Sequence, residues 1–245
     1  MTSPLHLIHI PINAQDLIMW GLRQTARGES SDLDYGMMLH KLLSASFGKG
    51  AIQPFRLFTP KVGQWGLYGY SAENADALRA SAALHMTPDM DHALPLNKMR
   101  SKTMPAIKAG TRLGYDILTR PTRRLTSDGK TKEQDAFVMA CHTAAAQPEA
   151  SPPERAQIYE DWLRERLSSS GKPIATLDSF RLAHFATSRA NRNHKTITGP
   201  EATFQGTLTV QDADAFANLL RHGLGRHKAY GYGMVLLRPA DRGTP

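Results

Sequence analysis

The segment Gly223-Leu224-Gly225-Arg226-His227-Lys228-Ala229-Tyr230-Gly231-Tyr232-Gly233-Met234 holds the residue types best suited to meeting a phosphate. Gly223, Gly225, Gly231 and Gly233 let a backbone approach a ligand closely, and Arg226, His227 and Lys228 are adjacent side chains able to reach phosphate oxygens. The segment is not a dinucleotide fingerprint, because Lys228 stands where the third glycine belongs and the loop follows a predicted helix instead of a strand. Nor is a Walker-type phosphate loop present, since Gly48-Lys49 and Gly171-Lys172 lack the following hydroxyl residue. No Gly-x-Ser-x-Gly elbow occurs. The histidines offer no metal site: His6 and His9 fall on opposite faces of one predicted strand, and Cys141-His142 is a poor chelating spacing. Cys141 is the sole cysteine, which excludes an internal disulfide and a cysteine-rich zinc site. No cofactor is expected.

The charge points the same way. The 245 residues carry a formal net charge of +8 and a pI near 9.7. Between Lys98 and Lys132, ten Lys or Arg face only Asp116 and Asp128, an excess of eight that equals the whole-chain value. A charge serving only solubility has no need of such clustering, whereas phosphate contacts do. A hydrophobic content of 41% supports an ordinary packed core. No run approaches the roughly 20 apolar residues of a membrane helix. Met1-Thr2-Ser3-Pro4 lacks the features of a signal peptide. A cytoplasmic protein with no membrane partner is expected.

These residues need elements to hold them. Leu5–Ile10 reads as a strand ended by Pro11. A short helix falls within 13–27, weakened by Gly21. Tyr35, Met38, Leu39, Leu42, Leu43 and Ser46 follow helical spacing, with Gly48 as the stop. Pro54–Thr59 and Gln64–Tyr70 are strands, Glu73–Leu84 is a helix, and a fourth strand is due after Pro88. A second round starts with the strand Arg112–Thr119. A basic, turn-rich segment Pro121–Gln134 and a linker Ala144–Pro153 follow it. Next comes a helix that Ser151 is placed to cap, with Glu154 completing a capping box. Leu177–Thr187 and Thr203–Val210 read as strands, Asp212 caps a helix ending at Gly223, and Met234–Leu237 closes the chain's pattern. Each round gives β-α-β-β-α-β, so an α+β fold of tandem ferredoxin-like (RRM-like) domains is expected, divided as 1–105 and 106–245. Trp65, Tyr68 and Tyr70 either stack bases, as on RNA-recognition sheets, or pack the core.

The glycine-rich segment, lying between the last helix and last strand, resembles the C-terminal signature of the CRISPR-associated repeat-RNA endoribonucleases, in particular the CasE branch. Phe204-Gln205-Gly206-Thr207-Leu208-Thr209-Val210-Gln211-Asp212 is similar to that branch's strand-to-helix entry. Thr119-Arg120-Pro121-Thr122-Arg123-Arg124 with Gly129-Lys130 is similar to its arginine-and-proline turn. The resemblance is carried mainly by Thr111–Pro239. It implies two ferredoxin-like domains with an RNA-binding groove between them. It also places a catalytic histidine on the first domain's first helix, where Leu39-His40-Lys41-Leu42-Leu43-Ser44 matches. Helical geometry sets His40 off the apolar stripe, at its edge or on the open face. The chain departs from the branch in carrying Met37 three residues before the histidine where a tyrosine is common. Tyr35 is then the nearest tyrosine. The stretch bearing Arg23 and Arg27 is long, and the insertion Thr126–Pro153 is enlarged. Such differences fit a diverged member, of type IV systems for example.

The implied reaction is metal-independent RNA cleavage. A base frees a 2′-hydroxyl to attack the adjacent phosphate, an acid protonates the leaving 5′-oxygen, and cations stabilise the added negative charge. The products are a 2′,3′-cyclic phosphate and a 5′-hydroxyl. His40 suits either proton role, with Lys41, Arg23 and Tyr35 as further catalytic candidates. RNA binding falls to Arg120, Arg123, Arg124, Lys130 and Lys132, to Arg226, His227 and Lys228, and to Arg189, Arg192 and Lys195 in a polar connection between strands. The partners implied are a CRISPR repeat stem-loop and its crRNA product, with other subunits of an effector complex. A non-catalytic RNA-binding subunit of such a complex and an unrelated RRM-like RNA-binding protein stand as alternatives.

Overall fold

The computed structural model describes residues 3–24, 33–127, 130–146, 149, 151–192 and 195–240, with side chains at 127, 130, 131, 190–192 and 195–197 outside the description. The first half runs β1 (His6–Ile12), α1 (Ala14–Arg23), α2 (Tyr35–Phe47), β2 (Phe55–Phe58), β3 (Trp65–Ser71), α3 (Ala75–Ala82), α4 (Pro88–Ala93) and β4 (Arg100–Thr103). The second runs β5 (Arg112–Thr119), β6 (Thr122–Ser127), β7 (Lys130–Asp135), α5 (Ala136–Ala145), α6 (Arg155–Arg166), the short β8 (Ser168–Ser169) and β9 (Lys172–Pro173), β10 (Ala175–Arg192), β11 (Lys195–Val210), α7 (Ala213–His222) and β12 (Val235–Pro239). Two four-stranded sheets form, ordered β2-β3-β1-β4 and β10-β11-β5-β12. Counted within each half, both have second-third-first-fourth order with antiparallel neighbours. The chain is therefore two ferredoxin-like units in tandem, as the element order implies.

Alternation decides which residues enter which layer. Ile8, Ile10 and Ile12 of β1 are buried beside Leu17, Leu39, Leu42, Leu67 and Leu78 in the core of the first unit. Leu7, His9 and Pro11 face the other way. Pro11 does not end the strand: it pairs with Gly66, and β4 reaches only as far as His9, so the missing N–H lies beyond the β4 ladder. Gly21 is no weakness either. A side chain there would run into Met38, so the glycine lets α2 lie close against α1.

Three expectations for the second half need correction. Thr122–Ser127 and Lys130–Asp135 are not loop but the paired strands β6 and β7. Asp135 then caps α5, its carboxylate accepting from the Phe137 N–H at 2.8 Å. The next helix is capped by Glu154, without a side-chain cap bond, and not by Ser151. The supposed polar connection that holds Arg189, Arg192 and Lys195 belongs to the long paired strands β10 and β11, which stay in register out to Arg192 and Lys195.

The two units lean on each other through buried polar contacts. Leu5 and Tyr70 of the first unit join the second unit's core, around Tyr115, Tyr159, Trp162, Phe204 and Phe216. The Tyr70 hydroxyl donates to the Val235 carbonyl at 2.9 Å, and burial pushes that phenol well above the usual tyrosine range. Arg56 on β2, almost wholly buried, pairs with Asp116 on β5. Gln205 donates to the same carboxylate at 2.6 Å, and Arg181 donates to Gln205. Removing one partner of a buried pair strands the other charge. Asp116→Ala is therefore expected to lower unfolding free energy in urea by about 3 kcal/mol. A loss under about 0.5 kcal/mol, the range of an ordinary surface change, would show that the pair does not join the units.

Candidate functional site

The glycine-rich segment packs against the first unit at Gly223 and Gly231, and against the second unit and itself at Gly225 and Gly233. Gly223 ends α7 with φ +69° and lies against Pro54, while Gly225 lies against Trp162. Gly231 adopts φ +90° beside Phe55, and a side chain at Gly233, φ +76°, would run into the Leu224 carbonyl. The first unit answers with a glycine of its own. Gly36, at the start of α2, meets the Tyr230 carbonyl oxygen so closely that a Cβ would overlap it.

This approach brings His40 to the loop. His40 is half-buried on α2, between the buried Leu39 and the exposed Lys41. Its ring stands edge-to-face on Tyr230 with centroids 5.1 Å apart. Tyr230 was not singled out from the sequence, though it lies inside the quoted motif. Lys41 donates to the Gln24 carbonyl at 3.4 Å, at the end of α1. Arg23 turns to Asp89 at the start of α4, with 3.6 Å between the charges. Hydrogen bonding from Thr87 first, then the neighbouring backbone and Arg23, holds the Asp89 carboxyl below its ordinary value. Tyr35 packs edge-to-face on Trp65 at 5.1 Å, so its ring serves the first unit's core.

The basic candidates divide into engaged and exposed groups. Arg120 is not a surface cation: it is 2% exposed, its Nε donates to the Pro200 carbonyl at 3.3 Å, and its guanidinium lies 5.8 Å from the Tyr232 ring centre. Burial, reinforced by Glu201, raises the Tyr232 phenol above the usual range. Arg123 pairs with Glu165 on α6. Arg226 and His227 both pair with Glu133 of β7, the latter at 2.8 Å, and so tie the β6–β7 hairpin to the glycine-rich loop. Nothing in the basic composition of that segment marked Glu133 as the tie. Arg124 and Lys132 are exposed on the hairpin, Arg189 is exposed on β10, and Lys228 is half-buried in the loop. The side chains of Lys130, Arg192 and Lys195, and Arg27 altogether, lie outside the described residues.

Lys228 also lines a cavity of about 440 Å³ with Gln53, Tyr70, Arg221 and His222 where the two units meet. The arrangement offers one imidazole against an aromatic ring, with Lys41 next to the imidazole in the chain and Lys228 two residues before the ring, and an exposed basic hairpin anchored to the same loop. That is enough for proton transfer next to a bound phosphodiester.

A family described as "CRISPR associated protein" matches residues 5–239, and the chain belongs to that family. No curated protein matches in sequence. Solved structures share the fold at low identity. The CRISPR endoribonuclease Cse3 bound to a 19-nucleotide RNA aligns with TM-score 0.62 and 18% identity, over 96% of this chain and 100% of that one. The CRISPR-associated protein Cas6e from Escherichia coli K-12 gives TM-score 0.60 and 17% identity, over 96% and 99%. Thermus thermophilus Cse3 with an RNA representing a pre-cleavage complex gives 0.58 and 17%, over 96% and 100%.

If Gly36 sets the spacing between loop and helix, Gly36→Ala must push Tyr230 off His40. The ring-proton signals of His40 are expected to shift in NMR spectra, with a stability loss of about 1–3 kcal/mol from overpacking. Unmoved signals in a folded variant contradict the packing described.

Proposed function

We propose that this CRISPR-associated protein is a metal-independent endoribonuclease that cuts repeat RNA at the base of a stem-loop. The observation that carries the reading is the His40–Tyr230 contact, which puts a titratable imidazole beside a glycine-rich loop that is itself tied to a basic hairpin. The fold shared with RNA-bound Cse3 supports it.

His40 moves the proton. It either accepts from the 2′-hydroxyl or gives to the departing 5′-oxygen, and in-line attack leaves a 2′,3′-cyclic phosphate and a 5′-hydroxyl. Tyr230 positions the imidazole through the edge of its ring. Lys41 and Lys228, whose ammonium groups are compact and mobile, stabilise charge on the phosphate oxygens. Arg23, already paired with Asp89, is the weaker candidate for that role. Arg124, Lys132 and Arg189, being exposed, contact stem phosphates. Arg120 acts from within, holding β11 at Pro200 against the end of β5. The protein stays on its product and works beside other subunits of an effector complex, the setting in which a fold neighbour is described as part of a CRISPR RNA-guided surveillance complex.

End-labelled repeat RNA from the host's own array, incubated with the protein in EDTA, tests the reading. A single cut at the stem base is expected, and His40→Ala should slow it by about 10²–10⁴-fold, the usual worth of a positioned proton-transfer group. Loss of cleavage in EDTA, or an undiminished rate in His40→Ala, contradicts the assignment. Tight stem-loop binding without any cut would favour a non-catalytic RNA-binding subunit instead. For binding, Arg124→Gln should reduce the slope of log affinity against log salt by about one. An unchanged slope would remove Arg124 from the phosphate contacts.

A further inference from the structure

The face of the first sheet that points away from α1 and α2 is covered by the second unit at Tyr70, Leu7 and Arg56, and is otherwise built unlike a core surface. Its register places Arg56 opposite Tyr68, Tyr68 opposite His9, and His9 opposite Arg100. One row thus crosses all four strands as cation, phenol, imidazole and cation. The neighbouring rows add Phe58 beside Gly66, and Tyr70, Leu7 and Lys102. None of the residues that β1–β4 turn to this face is acidic. Asp116, which reaches it from the second sheet, is held by Arg56 and Gln205.

The rings touch one another at a tilt and form one aromatic wall. His9 and Tyr68 lie 4.6 Å apart at 36°, Phe58 stands edge-on to Tyr68 at 5.5 Å, and the Arg56 guanidinium covers Phe58 at 4.5 Å. Beside this wall is a cavity of about 580 Å³, lined by His9, Phe58, Gln64, Gly66 and Tyr68, with Leu236 of β12 on its other side. Gly66 forms a floor without a side chain. His9, Phe58 and Tyr68 are half-buried, and Arg100 and Lys102 at the sheet edge are exposed.

We infer that this cavity takes one unpaired base of an RNA strand, stacked among Tyr68, His9 and Phe58, with the strand's phosphates on Arg100 and Lys102. Stacking partners on the two central strands and cations at the edge are what a sheet needs to hold single-stranded RNA. A flat π-face can lie against the side of these rings that lines the cavity, and with Asp116 neutralised by Arg56 the surplus of cations on the face suits a polyanion better than a cationic or neutral peptide. Burial first, and then the charge of Arg100, keep the His9 imidazole below its ordinary value, so it meets the base as a neutral ring at physiological pH. The site is distinct from His40, and deepens the function proposed above by giving the unpaired flank of the repeat its own seat.

The test uses the full chain and an eight-nucleotide unpaired RNA with one 5-iodouridine, beside the repeat hairpin with and without its unpaired flank. Photocross-linking is expected at Tyr68 or Phe58. Tyr68→Ala should weaken octamer binding about tenfold, the equivalent of about 1.4 kcal/mol. Tyr68→Phe should retain binding, since the ring and not the hydroxyl stacks, which separates loss of the site from misfolding. Arg100→Gln with Lys102→Gln should flatten the salt dependence, while the ring variants leave it alone. Octamer affinity that ignores both the ring and the charge changes, with no cross-link on this face, overturns the proposal and leaves a protein side chain as the pocket's occupant. A hairpin cut normally with no contribution from its flank sinks this site alone. An octamer bound here beside an uncut hairpin supports this site and sinks the endonuclease.

Discussion

The close backbone approach of the glycine-rich loop to the first unit is the constraint on which the rest depends. Tyr230 can rest on His40 only because Gly36 lacks a side chain under its carbonyl and because Gly231 and Gly233 adopt left-handed backbone angles that a side chain would strain. The same loop carries Arg226 and His227 to Glu133. A single stretch of backbone therefore fixes two things at once: the imidazole on α2 and the basic hairpin of the second unit.

A second set of contacts holds the sheets in register with each other. Arg181, Gln205, Asp116 and Arg56 form a chain of polar groups from β10 to β2, across both units. Arg56, Asp116 and Gln205 would be costly to bury singly, and each is satisfied by the next, while Arg181 joins from the exposed end. With Tyr70 anchored on Val235, this chain sets the spacing between the aromatic face of the first sheet and β12. The two proposed sites thus have different occupations: helix α2 and the loop handle the proposed scissile phosphate, and the cavity between the first sheet and β12 offers rings to an unpaired strand.

Much of this was legible from residue order. Both β-α-β-β-α-β rounds follow from period and punctuation, because Ile8, Ile10 and Ile12, or Phe216, Leu219 and Leu220, mark their buried faces plainly. The β6–β7 hairpin was missed because its strands are polar and partly exposed, so no apolar alternation announces them, although Asp128-Gly129 in the sequence is a hairpin turn signal. The outer half of β10 and β11, beyond Thr187, was hidden for the same reason: the strands pair by backbone, and a residue such as Arg189 is exposed. Ion pairing at long sequence separation is not written in local composition. Arg120, Arg123, Arg226 and His227 look like free cations in the sequence, and folding brings Glu165 to Arg123, Glu133 to Arg226 and His227, and the interior to Arg120. Tyr230 was visible as part of a motif, but its use became clear only once α2 lay beneath it.

The central claim is that the loop acts through His40. Single-turnover cleavage of the repeat hairpin by the wild type, Gly36→Ala, His40→Ala and the double variant tests it most directly. Gly36→Ala is expected to slow the reaction while His40 is present and to add nothing once His40 is gone. An equal slowing in both backgrounds would contradict it.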